Sequence, residues 1–478
     1  MKVVKNVSII TKFLFNFVQI CKSEETRAAA RKNIHSYIRN RNLKVFDLIT
    51  FLMFRNNTTM NRDLAVFFSK SKRLSECVSK QAMSKALKKM NPYVFTKLFK
   101  DFRNLFYSSS LVKTFKGYVI LSEDGTYLEI PHSIKNIMNY GFVENKYVSD
   151  MFDVKKVMAK GAGIYDVTNG FFLDFLIRPA NYSELPMAVQ HICRIKESLK
   201  GIPSIFLADR YYGSIELIAL LMMNDMKYCI RAKSNFYKEL VSKIEKDGWI
   251  TIEIDEKWLN RFKYMEEIKE YVKSINNKIS IRVVKHQYEY MDESNNKTTE
   301  LIYFTNLSGY EFSTEEIIEL YAKRWEIETS FKKLKITQEI ERVNSSHQTV
   351  VECKMLAKIL LFNITGLIES ELNYELIKKK TEIYNEGYRA NHDFLYQTVL
   401  EELYEGIVKR KFSFNKLKEI LKGIIKAGKN KIVPIRHNRH YLRWGRFIKS
   451  GFYYRFRLDG RNDPKVKNYK GGLLTVSH

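Results

Sequence analysis

At 478 residues the chain is long enough for two or three domains with substantial cores. Its 81 Lys and Arg against 53 Asp and Glu leave a formal charge of +28, which points to a polyanionic partner, nucleic acid ahead of a membrane surface. No run of about 18 uncharged apolar residues exists, so a membrane-spanning helix is excluded.

The first apolar stretch, VSIITKFLFNFVQIC, is broken by Lys12, Asn16 and Gln19 and lacks a small-residue cleavage site, so no signal peptide is expected. The five scattered cysteines (Cys21, Cys77, Cys193, Cys229, Cys353) form no CxxC pair and read as buried residues of a reducing cytoplasm, not as disulfides or zinc ligands. Residues 1–110 read as helical and basic, with an apolar stretch from Phe46 to Phe54 suited to a buried helix. Further on, DLAVFFS is followed after a short turn by VSKQAMSKALKKMNP. Ser79 is a good N-cap, Ala82, Met83, Ala86, Leu87 and Met90 recur at helical spacing, and Asn91-Pro92 ends the helix. Lys80, Gln81, Ser84, Lys85 and Lys88 are left outside. Two readings stand: a helix-turn-helix recognition helix whose polar residues meet base edges, or a solvated lysine-rich surface helix.

From Lys116 the periodicity changes. GYVILSED, then TYLEIP after Gly125, suggest a strand, a tight turn and a second antiparallel strand, with Asp124 at the strand end. Asn169-Gly170 between alternating apolar runs is a strong hairpin signal. Asn181 and Glu184 stand at capping-box spacing before a helix with Met187, Ala188, Ile192 and Ile195 on its inner side. PSIFLADRYYGS is a buried strand ending at Asp209, followed by a helix and the strand MKYCIRA. Carboxylates at strand ends open into a crevice, although turns also favour Asp for its own hydrogen bonds.

Residues 233–310 contain the alternating runs WITIEI, ISIRVVKHQYEY and ELIYFTNL, the pattern of an all-β insertion. One helix is then expected from Glu315 to Ile336. Tyr321, Arg324, Glu328 and Lys335 fall on one stripe of it, beside an apolar face of Ile317, Leu320, Ile327, Phe331 and Leu334. A carboxylate between two cations and a phenol suits a metal ion held against a phosphate; ordinary i,i+4 pairing of Arg324 with Glu328 is the plainer explanation. KMLAKILLFNITGLIESEL reads as an interior helix, charged helices follow, and the last fifty or so residues interleave Arg with aromatics, a composition suited to phosphates and bases.

The spacing Tyr321-x2-Arg324-x3-Glu328-x6-Lys335 resembles the YREK signature of the insertion-sequence-four family of DDE transposases. Asp124 in SEDGTYLEIP and Asp209 in FLADRYYGS resemble that family's first and second aspartate blocks, in the same order and with a β-rich insertion before the glutamate. The resemblance implies an α/β fold: an RNase H-like catalytic core with an inserted all-β subdomain, flanked by α-helical N- and C-terminal regions. The corresponding segments are a helical DNA-binding region (1–110), the core (111–232 and 311–370), the insertion (233–310) and a helical, basic C-terminal region (371–478). It further implies that Asp124, Asp209 and Glu328 bind two Mg²⁺ ions, with Mn²⁺ as the expected substitute, and that Tyr321, Arg324 and Lys335 hold the phosphates of the transposon end. Lys80, Gln81 and Lys85 join them as candidate DNA contacts.

The expected activity is cut-and-paste transposition: cleavage at terminal inverted repeats, through a hairpin at the element end, then strand transfer. The expected partners are double-stranded DNA, as transposon ends and target, and a second copy of the chain, with no membrane; the expected setting is the bacterial cytoplasm, on the nucleoid. A nuclease without strand transfer and an inactive DNA-binding regulator are the alternatives. The sequence departs from the family where a tryptophan stacks on a flipped base: Leu301 falls there, with Tyr303 and Phe304 nearby and Trp258 as another aromatic.

Overall fold

The computed structural model describes residues 2–39, 42–56, 58–143, 156–292, 295–376, 387–408 and 412–435. The basic tail beyond residue 435 therefore lies outside the described residues.

Among the described residues α-helices come first: α1 (Lys2–Lys22), α2 (Glu24–Ala29), α3 (Val45–Phe54), α4 (Met60–Lys70), α5 (Lys80–Lys88) and α6 (Tyr93–Tyr107). Apolar side chains at helical spacing drive their packing: Phe13 and Phe17 of α1 both meet Phe102 of α6 edge-on. The Ser79 hydroxyl caps α5 by accepting from the Ala82 amide, and Met83 and Leu87 are buried beneath it.

The sheet begins with β1 (Val119–Glu129), then α7 (Ile134–Tyr140), β2 (Phe142–Val143), β3 (Lys156–Asp166) and β4 (Phe171–Pro179). Next come α8 (Glu184–Ile195), β5 (Ser204–Ala208), α9 (Ile215–Met223) and β6 (Lys227–Ala232). β1, β3 and β4 pair antiparallel, and β1, β5 and β6 pair parallel. Three antiparallel strands, a helix, a parallel strand, a helix and another parallel strand make the RNase H-like core that the resemblance implies. The β3–β4 connection is the Asn169-Gly170 hairpin, with Gly170 at φ +81° and Asn169 bonded to Asp166.

Two expectations for this region change. No turn interrupts the chain at Gly125, because β1 runs straight through it, paired with β3 up to Glu129. Asp124 is therefore within a strand, not at its end.

The insertion carries α10 (Lys238–Val241), β7 (Asp247–Glu253), α11 (Glu256–Leu259), α12 (Glu266–Ser274), β8 (Lys278–Asp292) and β9 (Asn295–Thr305). The three strands match the alternating runs; the short helices were not foreseen. β9 pairs antiparallel with β6, so the insertion's strands extend the central sheet.

The helix expected over Glu315–Ile336 is two: α13 (Thr314–Ala322) and α14 (Trp325–Ile336). Between them the amides of Lys323 and Arg324 bond to the carbonyls of Leu320 and Tyr321, the tightened i→i−3 pattern. The Ser122 hydroxyl of β1 donates to the Arg324 carbonyl at 3.2 Å, so a side chain enters the helical ladder where the break occurs. The expected apolar face is nonetheless buried throughout, from Ile317 to Leu334.

Helices cover both sheet faces. Ile120, Ile205 and Leu207 pack against Ile317, Leu320 and Tyr321 of α13, while Val119, Leu121 and Phe206 join the large core that includes α8 and α9. α15 (Gln348–Leu376) runs against β4, where Asn363 donates to and accepts from the Phe172 backbone and so satisfies the edge of that strand. At its crossing with the hairpin, a Cβ on Gly366 would stand 2.0 Å from the Gly170 carbonyl oxygen, so only glycine fits there.

Candidate active site

Side chains alternate along β1, and the alternation divides the site into two sides. Ser122 and Asp124 face the α13–α14 junction; Glu123 and Gly125 face α8. β1 and β5 run parallel in the register Val119↔Ser204 through Ser122↔Leu207. Continued by two residues, that register sets Asp209, directly after β5, level with Asp124 on the neighbouring strand.

Arg324, at the break between α13 and α14, reaches both remaining elements. Its Nη1 lies 3.5 Å from Asp124 Oδ2, and its Nη2 donates to Glu328 Oε1 at 2.9 Å. The i,i+4 pair foreseen as the plain explanation thus exists, and the same guanidinium also reaches Asp124. Burial pushes the Asp124 carboxyl up to about 7; the Gly125 amide and Arg324 pull it down, while the charges of Asp209 and Glu328 push it further up. The three sequence-predicted carboxylates therefore share one electrostatic neighbourhood. Asp209 accepts from the Tyr211 amide at 2.8 Å.

Asp, Asp and Glu offer only hard oxygen donors, the chemistry that suits a divalent cation, and their mutual repulsion around Asp124 is a demand for positive charge. In donor type and charge the residues fit such an ion. Their side chains do not close on one point: among the described residues no group of three or more His, Cys, Asp or Glu forms a metal cluster, and Arg324 stands between Asp124 and Glu328.

The other candidate residues are placed as follows. Tyr321 is buried, its ring 4.7 Å from that of Tyr303, with the Arg324 guanidinium 5.7 Å away. Lys335 Nζ donates to the Tyr127 carbonyl at 2.6 Å and lies 3.9 Å from Glu341. Lys80, Gln81 and Lys85 are exposed on α5. Tyr303 and Phe304 are core residues, and Trp258 packs beside Tyr237 on the insertion.

Sequence reasoning missed several neighbours. Trp325 is 58% exposed with the Arg324 guanidinium 4.7 Å from its ring centroid; its place beside a signature arginine was the available signal. Glu123 is fully buried against His191 Nδ1 at 2.8 and 2.9 Å, and burial pushes the carboxyl up and the imidazole down, which describes a neutral pair. Glu184 does not cap its helix: Ser183 is the N-cap, without a side-chain bond, and Glu184 pairs with Lys160 at 2.8 Å.

The family model described as a transposase DDE domain matches residues 117–364, about half of the chain. Among solved structures the chain is similar to a piggyBac transposase synaptic complex with hairpin DNA, at 10% identity over 91% of this chain and 84% of that one, with a TM-score of 0.40. No curated protein matches the chain.

Proposed function

The chain belongs to the transposase DDE domain family, and from that premise we propose that it is the transposase of an insertion sequence, of the branch that carries the YREK signature. In this reading it cuts DNA at the element's terminal inverted repeats and joins the freed ends to a target by a cut-and-paste route. The observation that carries the proposal is that Asp124 on β1 feels the charges of both Asp209, directly after the neighbouring parallel strand β5, and Glu328, with Arg324 reaching Asp124 and Glu328.

DDE transposase domains generally use divalent metal ions. Here Asp124, Asp209 and Glu328 would hold them, with Mg²⁺ as the proposed ion and Mn²⁺ as a substitute. When bound, such ions polarise the phosphodiester and supply an activated oxygen nucleophile.

The protein's own groups do the rest. β1 holds Asp124 within the sheet and β5 delivers Asp209 at its C-terminal end, so the two carboxylates are carried by neighbouring parallel strands. Arg324 supplies a planar fork of donors that can exchange a carboxylate partner for phosphate oxygens of the DNA. Lys335 adds a point charge further along α14, at the Tyr127 end of β1, and the exposed side chains of α5 hold duplex at a distance from the reacting bond. Double-stranded DNA is the proposed partner, with two copies of the chain because two ends must be cut and joined, and the bacterial cytoplasm is the proposed setting.

The test uses the purified full chain and a duplex carrying the inverted repeats that flank its gene. Mg²⁺-dependent cleavage at the repeat end, and joined products from a donor with a free 3′-hydroxyl, are expected. Cleavage without joining would leave a nuclease, and no metal-dependent cleavage would overturn the proposal.

A further inference from the structure

Behind Asp124, on the α8 side of the sheet, a carboxylate outside the triad ties together three segments: β1, β3 and the turn after β5. Glu184 lies flat on β1: a Cβ built on Gly125 would stand 2.4 Å from Glu184 Cδ and Oε1. Glu184 Oε1 accepts from Lys160 Nζ of β3 at 2.8 Å, and Tyr212 Oη donates to Oε2 at 3.3 Å. Lys160 is itself held, opposite Tyr127 in the β1–β3 register with its ammonium 3.8 Å from the Tyr127 ring centroid. Tyr212 is fully buried three residues after Asp209. Burial keeps the proton on its phenol oxygen, where it is donated to Glu184.

The contact points matter. Glu184 touches β1 one residue beyond Asp124, and it holds the turn three residues beyond Asp209. A side chain needed only to fill space would not require two donors from different elements, nor a glycine beneath it. The 2.8 Å charge-assisted bond from Lys160 fixes one oxygen of the carboxylate, and the longer 3.3 Å contact from Tyr212 orients the other.

We propose, on the reading of function given above, that Glu184 is a positioning residue of the reaction centre. Clamped over Gly125 by Lys160 and Tyr212, it fixes β1 against the turn after β5 and so holds Asp124 and Asp209 at the separation the cleavage step needs.

The test compares Glu184→Gln, the charge-balanced pair Lys160→Met with Glu184→Gln, and Tyr212→Phe against the unaltered protein. Gln keeps the shape over Gly125 and can still accept from Tyr212, and the paired variant leaves no buried ammonium without a counter-ion. Three quantities are measured on the full chain: the melting temperature without metal, its rise on titration with Mn²⁺, and kcat and KM for cleavage of the end duplex. Expected are a fall in kcat of roughly 10- to 100-fold at unchanged KM for DNA, and a similar rise in the Mn²⁺ concentration giving half the thermal shift. The paired variant should melt near the unaltered protein, and Tyr212→Phe should move the same quantities less.

Unaltered cleavage and Mn²⁺ titration in both Glu184 variants would overturn the proposal. So would a loss of cleavage that follows a drop in melting temperature and is restored by assaying in the cold. If the unaltered protein itself does not cleave, the reading of function fails, and the Mn²⁺ shift alone then decides the role of Glu184: a weakened shift supports it and an unchanged or absent shift rejects it.

Discussion

Arg324 Nη1 lies 3.5 Å from Asp124 Oδ2, yet the Asp124 carboxyl is pushed up to about 7. Burial and the neighbouring acids outweigh the arginine, and this has a consequence for stability. An unfolded aspartate titrates near 3.9. With the folded value raised, ionising Asp124 costs the native state more than the unfolded chain, so its contribution turns unfavourable as pH rises from about 4 to about 7. Asp124→Asn should therefore stabilise the metal-free protein by something on the order of 2 kcal/mol at pH 8, and by little near pH 4. Thermal melts of both proteins across that range check it; a difference independent of pH would mean the carboxyl is not perturbed.

Asp209 and Glu328 are exposed enough to meet ligand and are fixed by single local bonds, Asp209 from the Tyr211 amide and Glu328 from Arg324. Neither supports the core. Asp209→Asn and Glu328→Gln should each lower end cleavage by about three orders of magnitude or more, while leaving melting temperature and duplex affinity within a factor of about two. Cleavage and gel-shift assays on the same preparations separate the two effects. Retained cleavage in either variant would remove that residue from the site.

What was legible in the sequence follows from how local each cause is. The buried stripe from Ile317 to Leu334, the Ser79 cap and the Asn169-Gly170 hairpin rest on neighbours a few residues away, and each is present. The break at Lys323–Arg324 was not legible, because no Pro or Gly marks it and the inserted hydroxyl, Ser122, is some two hundred residues distant. Gly125 was misread as a turn for the same reason: the glycine is there to admit Glu184, from another element. Glu184 in turn showed capping spacing, which explained it locally and hid its long-range pairing. Of the candidate site, the three acids and Arg324 were visible as residue types at spacings; Lys160 and Tyr212 carried no local signal.

Helix α5 offers a prediction that does not depend on the acids. Met83 and Leu87 anchor it inward, and Lys80, Gln81 and Lys85 are exposed. If the lysines meet phosphates, Lys80→Ala or Lys85→Ala should flatten the salt dependence of duplex binding by about 0.9 per residue, for any sequence. Gln81→Ala should instead leave the slope alone and relax sequence preference by about 1–3 kcal/mol, if it reads a base edge. Binding titrations at several salt concentrations on specific and unrelated duplexes decide between contact and a merely solvated face.

The interior of α15 holds a cation that the apolar reading of that helix did not anticipate. Lys358 is buried with its Nζ donating to the Arg55 carbonyl at 2.9 Å, beside the buried Arg55–Asp63 pair. Burial, with Arg55 close by, pulls its ammonium down to about 7. An unfolded lysine titrates near 10.4, so the unfolded chain binds this proton more tightly than the native state does. The native state is accordingly penalised most at and below about pH 7, and the penalty fades as pH rises toward 10. Lys358→Met removes the charge, keeps most of the volume and gives up the hydrogen bonds to the Arg55 carbonyl and, at 3.5 Å, to the Tyr396 hydroxyl. Its stability relative to the unaltered protein should therefore be highest near pH 6 and fall by something on the order of 2 kcal/mol by pH 9. Denaturant titrations at the two pH values measure the change directly. A gap that stays constant, or widens with pH, would show that Lys358 keeps its ordinary proton affinity inside the fold.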